Sequence, residues 1–137
     1  VSLLDGKDQL PFEGDIISLD ANLAKKWFDI SAWKRLARLI KEFNPDIIQA
    51  NAGDTLKYAV FSKLFFRWKQ PIVFRNASMV SLYARTGFTR KVQRFFFNQV
   101  SHIFSVSQFT ANDLMKNFGV KKDCITVIPV GVEEKSF

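Results

Sequence analysis

The chain has 137 residues, 47% of them apolar, with 20 basic and 13 acidic side chains and a formal charge of +7. That length suits one domain around a single core, and that composition excludes global disorder. The positive balance favours anionic partners (phosphates, nucleic acid or acidic lipid headgroups) without choosing among them.

The opening residues Val1-Ser2-Leu3-Leu4 carry neither Met nor a basic leader, so no signal peptide is expected and the start reads as a chain entered mid-strand. Residues 5–14 read as a loop. Short apolar runs then recur at Asp15 to Leu19, Asp46 to Ala50, Pro71 to Phe74, His102 to Val106 and Ile125 to Ile128. Their starts lie 31, 25, 31 and 23 residues apart. Runs at that rhythm, separated by helical patterns, predict parallel strands joined by crossover helices. They do not alternate strictly, as expected of strands covered on both faces.

The spacing predicts a first helix over 31–43, with Trp33, Leu36, Ala37, Ile40 and Phe43 on one face and Lys34, Arg35, Arg38, Lys41 and Glu42 mostly opposite. Asn44-Pro45 stops it, because a residue before proline avoids the right-handed α region. A second helix is predicted over 55–68, capped by Asp54 or Thr55, with a broad face of Leu56, Ala59, Val60, Leu64, Phe65 and Trp68. Residues 77–87 read as a long loop, long enough to suggest a functional excursion. A third helix over 88–100 groups Phe88, Val92, Phe95 and Phe96. A fourth over 108–118, capped by Ser107, carries Ala111, Leu114, Met115 and Phe118, and Gly119 suits its left-handed end. Cys124, alone and in the apolar run to Ile128, reads as a small core residue; a lone cysteine forms no disulfide within the chain and agrees with a reducing compartment. His102 reads as structural, and no metal motif is present.

In an open parallel sheet, ligands bind outside the carboxyl ends of the strands. The residues there are Asn51, Gly53 and Asp54 after the second run, Arg75 and Asn76 after the third, and Ser107 after the fourth. Asn51 and Asn76 offer both donors and acceptors to hydroxyl groups. Gly53 allows close backbone approach at a helix start with free N–H groups. Asp54 can accept from hydroxyls or cap the helix. Arg75 can pair with a phosphate or carboxylate. Ser107 is first a helix cap and second a ligand contact. No nucleophile–base pair, Walker loop or GxGxxG is visible.

The run Val100 to Ser107, then a helix, then Phe118-Gly119-Val120, then Cys124 to Glu133 in the form Cys-Ile-Thr-Val-Ile-Pro-Val-Gly-Val-Glu, resembles family-4 glycosyltransferases. Asn44 to Asn51 adds a strand similar to the family's Pro-Asp-led one. The similar stretch covers roughly residues 30–135. The resemblance implies the amino-terminal half of a GT-B fold: a Rossmann-like α/β domain, a parallel sheet with helices on both faces, that receives the acceptor. It implies the domain over 1–128, the start of an interdomain hinge over 129–137 with Pro129 and Gly131, and a carboxyl-terminal donor domain not contained in these residues. It further implies a UDP- or GDP-sugar as donor substrate, a glycan or lipid-linked acceptor, and synthesis of a polysaccharide or glycolipid. Catalytic residues are expected mainly in the donor domain, so these residues alone are expected not to catalyse transfer. The family often has histidines after the strands holding Ile48 and Phe74. This chain has Gln49 to Asn51 and Arg75-Asn76 instead.

On the third helix, Phe97 falls at about 340° when Arg90 is set to 0°, with Arg94 at about 40° and Lys91 at about 100°. An aromatic among Arg90, Lys91 and Arg94 is the pattern of a helix lying on an anionic membrane surface. That reading predicts a cytoplasmic protein peripheral to the inner face of the membrane; the other reading of Phe97 is that it packs under the 77–87 loop or against the donor domain. A non-enzymatic flavodoxin-like binding module is the alternative the rhythm allows. Nucleic acid is not an expected partner, because the basic residues are scattered over several helices and form no recognised motif.

Overall fold

The computed structural model describes residues 1–3, 17–25 and 28–129. Four helices alternate with four strands: α1 (Ile30–Phe43), β1 (Ile48–Ala50), α2 (Gly53–Phe66), β2 (Ile72–Asn76), α3 (Gly87–Asn98), β3 (His102–Ser105), α4 (Gln108–Phe118) and β4 (Ile125–Val127). The strands are parallel and lie in chain order, β1-β2-β3-β4. Ala50 pairs with Phe74, Asn76 with Ser105, and Ser105 with Val127. The predicted loop over residues 5–14 and the first two residues of the run from Asp15 to Leu19 lie outside the described residues. Ser18 of that run forms a parallel bridge to Ser2.

Parallel strands laid down in sequence order, with the usual right-handed crossovers, put every crossover helix on the same face. One face accordingly carries Ala50, Ile72, Phe74 and Ile103 under Leu56, Ala59 and Val60 of α2, Phe96 and Phe97 of α3, and Leu114 and Phe118 of α4. The positions between them on the strands, Gln49, Val73, Arg75, His102, Phe104 and Thr126, form the second face and are half-buried or exposed among the described residues. A second cluster joins Leu19 and Ala21 to Ala32 and Trp33 of α1 and Tyr58 of α2.

The helix ends follow from local hydrogen bonding. The Asp29 carboxylate accepts from the Ala32 N–H at 3.2 Å and caps α1. Asn44 ends it at φ 44, in the left-handed region that asparagine tolerates and that proline leaves open. Ser107 and Thr110 cap α4 reciprocally, each side-chain oxygen accepting from the other's backbone N–H at 3.2 and 3.3 Å, and Gly119 closes it at φ 66. Thr86 and Thr89 do the same for α3, both at 3.1 Å.

Several expectations are corrected. The cap position of α2 is Ala52, not Asp54 or Thr55. Thr55 works from inside the helix instead, its hydroxyl oxygen accepting from the Ala52 N–H at 2.9 Å. Arg75 and Asn76 belong to β2 rather than following it. Cys124 ends a 3-10 turn before β4 and is half-buried. In α3, Phe96 and Phe97 are the buried residues, while Phe88 and Phe95 are exposed. The inward face is turned by roughly a quarter turn from the predicted one, because α3 is oriented by its neighbours. Phe97 meets Phe74 and Phe118 with ring centroids 5.9 and 5.5 Å apart, and Phe96 meets Phe61 at 5.3 Å. Phe97 is therefore not a surface residue and makes no membrane contact.

Candidate functional site

The carboxyl ends of the four strands share one rim of the sheet. A pocket of about 440 Å³ opens there, on the face away from α2, α3 and α4. Gln49, Arg75 and Phe104 line it from the strands, with Ser105, Val106, Ile128 and Pro129 at its end. The strands hold this rim in register: the Val106 N–H donates to the Asn76 carbonyl at 3.1 Å and the Ile128 N–H to the Ser105 carbonyl at 2.8 Å.

Arg75 is exposed and forms no ion pair among the described residues, so its five N–H donors face the pocket rim unclaimed. Gln49 orients toward the rim by donating from Nε2 to Asn51 Oδ1 at 2.7 Å. Pro129 closes the pocket opposite, and Gly131 lies outside the described residues.

The other candidates sit around the rim without lining this pocket. Asn51 is exposed and held by Gln49. Gly53 opens α2, and a Cβ built on it meets no atom within 4 Å, so nothing in the chain itself demands glycine there. Asp54 is solvated and lies 3.9 Å from Lys57, a pairing worth little on an exposed helix. Ser107 is committed to its cap, as described above. Asn76 faces the helix side and is buried; its Oδ1 accepts from the Ser78 N–H at 3.4 Å. Asn76 Nδ2 and its register partner's hydroxyl, Ser105 Oγ, are both buried without a partner among the described residues. Paired strands ending in two unsatisfied polar groups are unusual in a packed interior, where such groups normally find a partner or an ordered water.

The predicted excursion over 77–87 is a packed loop rather than a free one. Val80 and Ala84 are buried. The buried Asp113 of α4 accepts from the Ser81 N–H at 3.1 Å and from Asn117 Nδ2 at 2.8 Å, and Arg90 Nε donates to the Ala84 carbonyl at 3.1 Å. Arg90 is thus a loop clamp, leaving Lys91 and Arg94 as the exposed cations of α3. His102 is half-buried on the second face, and its Nε2 lies 2.7 Å from Thr126 Oγ1 of the neighbouring strand.

Sequence reasoning missed Gln49, Phe104 and Ser105 as pocket residues. The signal was available: with all helices on one face, alternate strand residues at Gln49, Arg75 and Phe104 must share the other. The perturbed titratable groups lie elsewhere, in the α1–α2 interface. Burial raises the Asp29 carboxyl, but the N–H groups of Asn22 and Ala32 and the hydroxyls of Tyr58 and Ser31 outweigh it and hold the carboxyl below its ordinary value. Burial and that same carboxylate push Tyr58 up to about 12. Among the described residues, no three His, Cys, Asp or Glu side chains gather as a metal site.

Comparison with known proteins agrees with the fold. A crystal structure of a glycosyltransferase from Rickettsia africae ESF-5 superposes with a TM-score of 0.66 at 21% identity, covering 85% of this chain and 29% of that one. This likeness shows the α/β Rossmann-like fold. The chain thus spans less than a third of that protein's length. No curated protein matches it in sequence. The family model for Glycosyltransferase Family 4 matches residues 7–136, and the chain belongs to that family.

Proposed function

We propose that these residues form the acceptor-binding half of a two-domain glycosyltransferase. A UDP- or GDP-sugar donor is held by a second, carboxyl-terminal domain that the resemblance implies beyond Pro129, and the sugar passes to a glycan or lipid-linked acceptor in polysaccharide or glycolipid synthesis. The observation that supports this reading is the pocket at the carboxyl ends of the strands with Arg75, unpaired among the described residues, at its edge. Arg75 suits the phosphate or carboxylate of such an acceptor. Gln49 in the pocket and the exposed Asn51 bonded to it suit hydroxyl groups, whereas the buried Asn76 on the helix side does not reach this pocket.

The test is binding of soluble acceptor analogues, a glycosyl phosphate and the matching neutral glycoside, followed by amide chemical shifts. The phosphate is expected to shift Gln49, Arg75 and Ser105, and Arg75→Ala to weaken it by about tenfold relative to the glycoside, the scale of one charge-assisted contact. Equal loss for both ligands, or shifts confined to other surfaces, counts against the pocket. The reading also has these residues alone turning over no nucleotide sugar, since the donor site lies elsewhere. A flavin titration that quenches flavin fluorescence at micromolar protein would favour the flavodoxin-like alternative instead.

The location follows as part of the same proposal: cytoplasmic, peripheral to the inner face of the membrane. With Phe97 buried, the support passes to Phe88 and Phe95, which are 74% and 42% exposed beside Lys91 and Arg94. No helix among the described residues is long and apolar enough to cross a membrane. Sedimentation with phosphatidylglycerol-containing vesicles, weakened by salt and by Phe88→Ser, is the expected result; equal sedimentation with pure phosphatidylcholine vesicles counts against it.

A further inference from the structure

A second pocket, of about 940 Å³, lies at the opposite end of the sheet. It is bounded by the residues that precede β1 (Asn44 to Asp46) and β2 (Trp68 to Gln70), and so sits at the amino ends of those strands. Its cationic rim is Lys34, Arg38, Lys41 and Lys69. The first three, with Ala37, are spaced i, i+4, i+7 and i+3 on α1 and form one stripe, in which the small Ala37 leaves room between the long side chains.

The walls are tied together. Gln70 Nε2 donates to Asn44 Oδ1 at 3.5 Å, joining the end of α1 to the approach to β2. Lys63 Nζ donates to the Gln70 carbonyl at 2.7 Å and lies 5.4 Å from the centre of the Trp68 ring. Trp68 Nε1 donates to Ser62 Oγ at 3.1 Å, which fixes the ring as part of the floor with Ile40 and Phe66. Lys63 thereby ties the last turn of α2 to the approach to β2. The four rim cations play no such part, since none forms an ion pair among the described residues, and Asp46 is the one carboxylate in the lining. Holding four like charges around a pocket is unfavourable, and an anion between them relieves it.

We propose that this pocket binds a phosphate-bearing anion, a phosphomonoester or diphosphate, with its charge among Lys34, Arg38, Lys41 and Lys69 and its organic body against Trp68 and Phe66. It is separate from the acceptor pocket, which lies at the other ends of the strands. The same chemistry is offered by a free phosphate compound and by the headgroup of an acidic phospholipid.

The experiment uses the whole chain with two probes. Inorganic pyrophosphate is titrated at low salt with tryptophan fluorescence and amide shifts of Lys69 and Gln70 as readouts. Vesicles of phosphatidylcholine with and without phosphatidylglycerol are tested by sedimentation. Both are repeated with Lys34→Gln/Arg38→Gln and with the control Lys116→Gln/Lys121→Gln, one on α4 and one just after it, away from this pocket and from the exposed face of α3. All four positions are exposed and glutamine is a good helix former, so folding is preserved and is checked by thermal melting. Pyrophosphate binding that weakens about tenfold or more in the α1 variant, and not in the control, identifies a free phosphate ligand. Vesicle binding with that same dependence, without pyrophosphate binding, identifies a lipid headgroup. Absence of both, or binding that survives Lys34→Gln/Arg38→Gln, overturns the proposal.

Discussion

At the scale of single residues, the most strongly constrained pair is Asp29 with Tyr58. The Tyr58 hydroxyl donates to Asp29 Oδ2 at 3.0 Å, and the Asn22 N–H donates to the same oxygen at 2.7 Å. A hydrogen bond to a buried carboxylate is worth about 1.5–3 kcal/mol. Tyr58→Phe is therefore expected to lower the free energy of urea unfolding by that amount at neutral pH. The sign with pH follows from the direction of each shift. Tyr58 is raised in the folded state, so its contribution is complete below the ordinary value of 10.0 and lost as pH climbs toward about 12. The gap between the wild type and Tyr58→Phe should narrow over that window; a constant gap shows that the hydroxyl does not titrate as the geometry requires. Asp29 is depressed, so its contribution is present above the ordinary carboxylate value of 3.8 and lost as pH falls through the lower folded value. None of this was legible in the sequence. Asp29 and Tyr58 are 29 positions apart, and neither stands in a motif. Arg75 was legible, because it follows a strand-like run. Its pocket partners Gln49 and Phe104 were not, because choosing them needs the knowledge of which sheet face the helices leave open.

At the scale of elements, the helices and strands were read largely correctly wherever the signal is local. Ser107 announces α4, Gly119 ends it, and the fourth helix buries Ala111, Leu114 and Phe118 as its period requires. Ser107→Ala is expected to cost about 1 kcal/mol, the usual value of a lost cap, read as a lower melting temperature. The third helix shows where local signal fails. Phe95, Phe96 and Phe97 are consecutive, so the aromatic pattern does not select one face. The choice is made by Phe61 from α2, Phe74 from β2 and Phe118 from α4, none of which the helix's own sequence encodes. Phe97→Ala should destabilise the protein by about 3–5 kcal/mol, as for a large core truncation, while Phe88→Ala should stay within about 0.5 kcal/mol. If Phe97 instead proves neutral to stability and its loss reduces vesicle binding, the buried placement of α3 is wrong.

At the scale of the whole molecule, the two apolar clusters suggest two units of different stability. The larger one, built on the sheet and α2 to α4, contains the strand residues Ile72, Phe74 and Ile103. The smaller one joins Leu19 and Ala21 to α1 and Tyr58, and Phe61 packs against both. Among the described residues, the segment around Leu19 is tied by Ser2 N–H to the Ile17 carbonyl at 2.9 Å, Leu19 N–H to the Ser2 carbonyl at 2.9 Å, Ala21 N–H to the Leu3 carbonyl at 2.8 Å, and Arg35 to the Leu19 and Asp20 carbonyls at 2.8 and 3.2 Å. A small cluster at the edge of a larger one can open without requiring the rest to unfold. Native-state hydrogen exchange can test this, and the choice of substitution matters. Weakening the smaller cluster with Asp29→Ala destabilises the native state relative to every opened state, so it speeds exchange everywhere and discriminates nothing. Weakening the larger cluster with Ile103→Val destabilises only relative to states in which the sheet has unfolded. It should cost about 1 kcal/mol and speed exchange about fivefold at the amides of Ser101, Val106 and Ile128, which donate to strand carbonyls. Leu19, Ala21 and Trp33 should exchange at the wild-type rate, because their opening leaves Ile103 packed. Equal acceleration in both groups would mean that the chain opens as one cooperative unit, with Phe61 coupling the clusters too tightly for the smaller one to open alone.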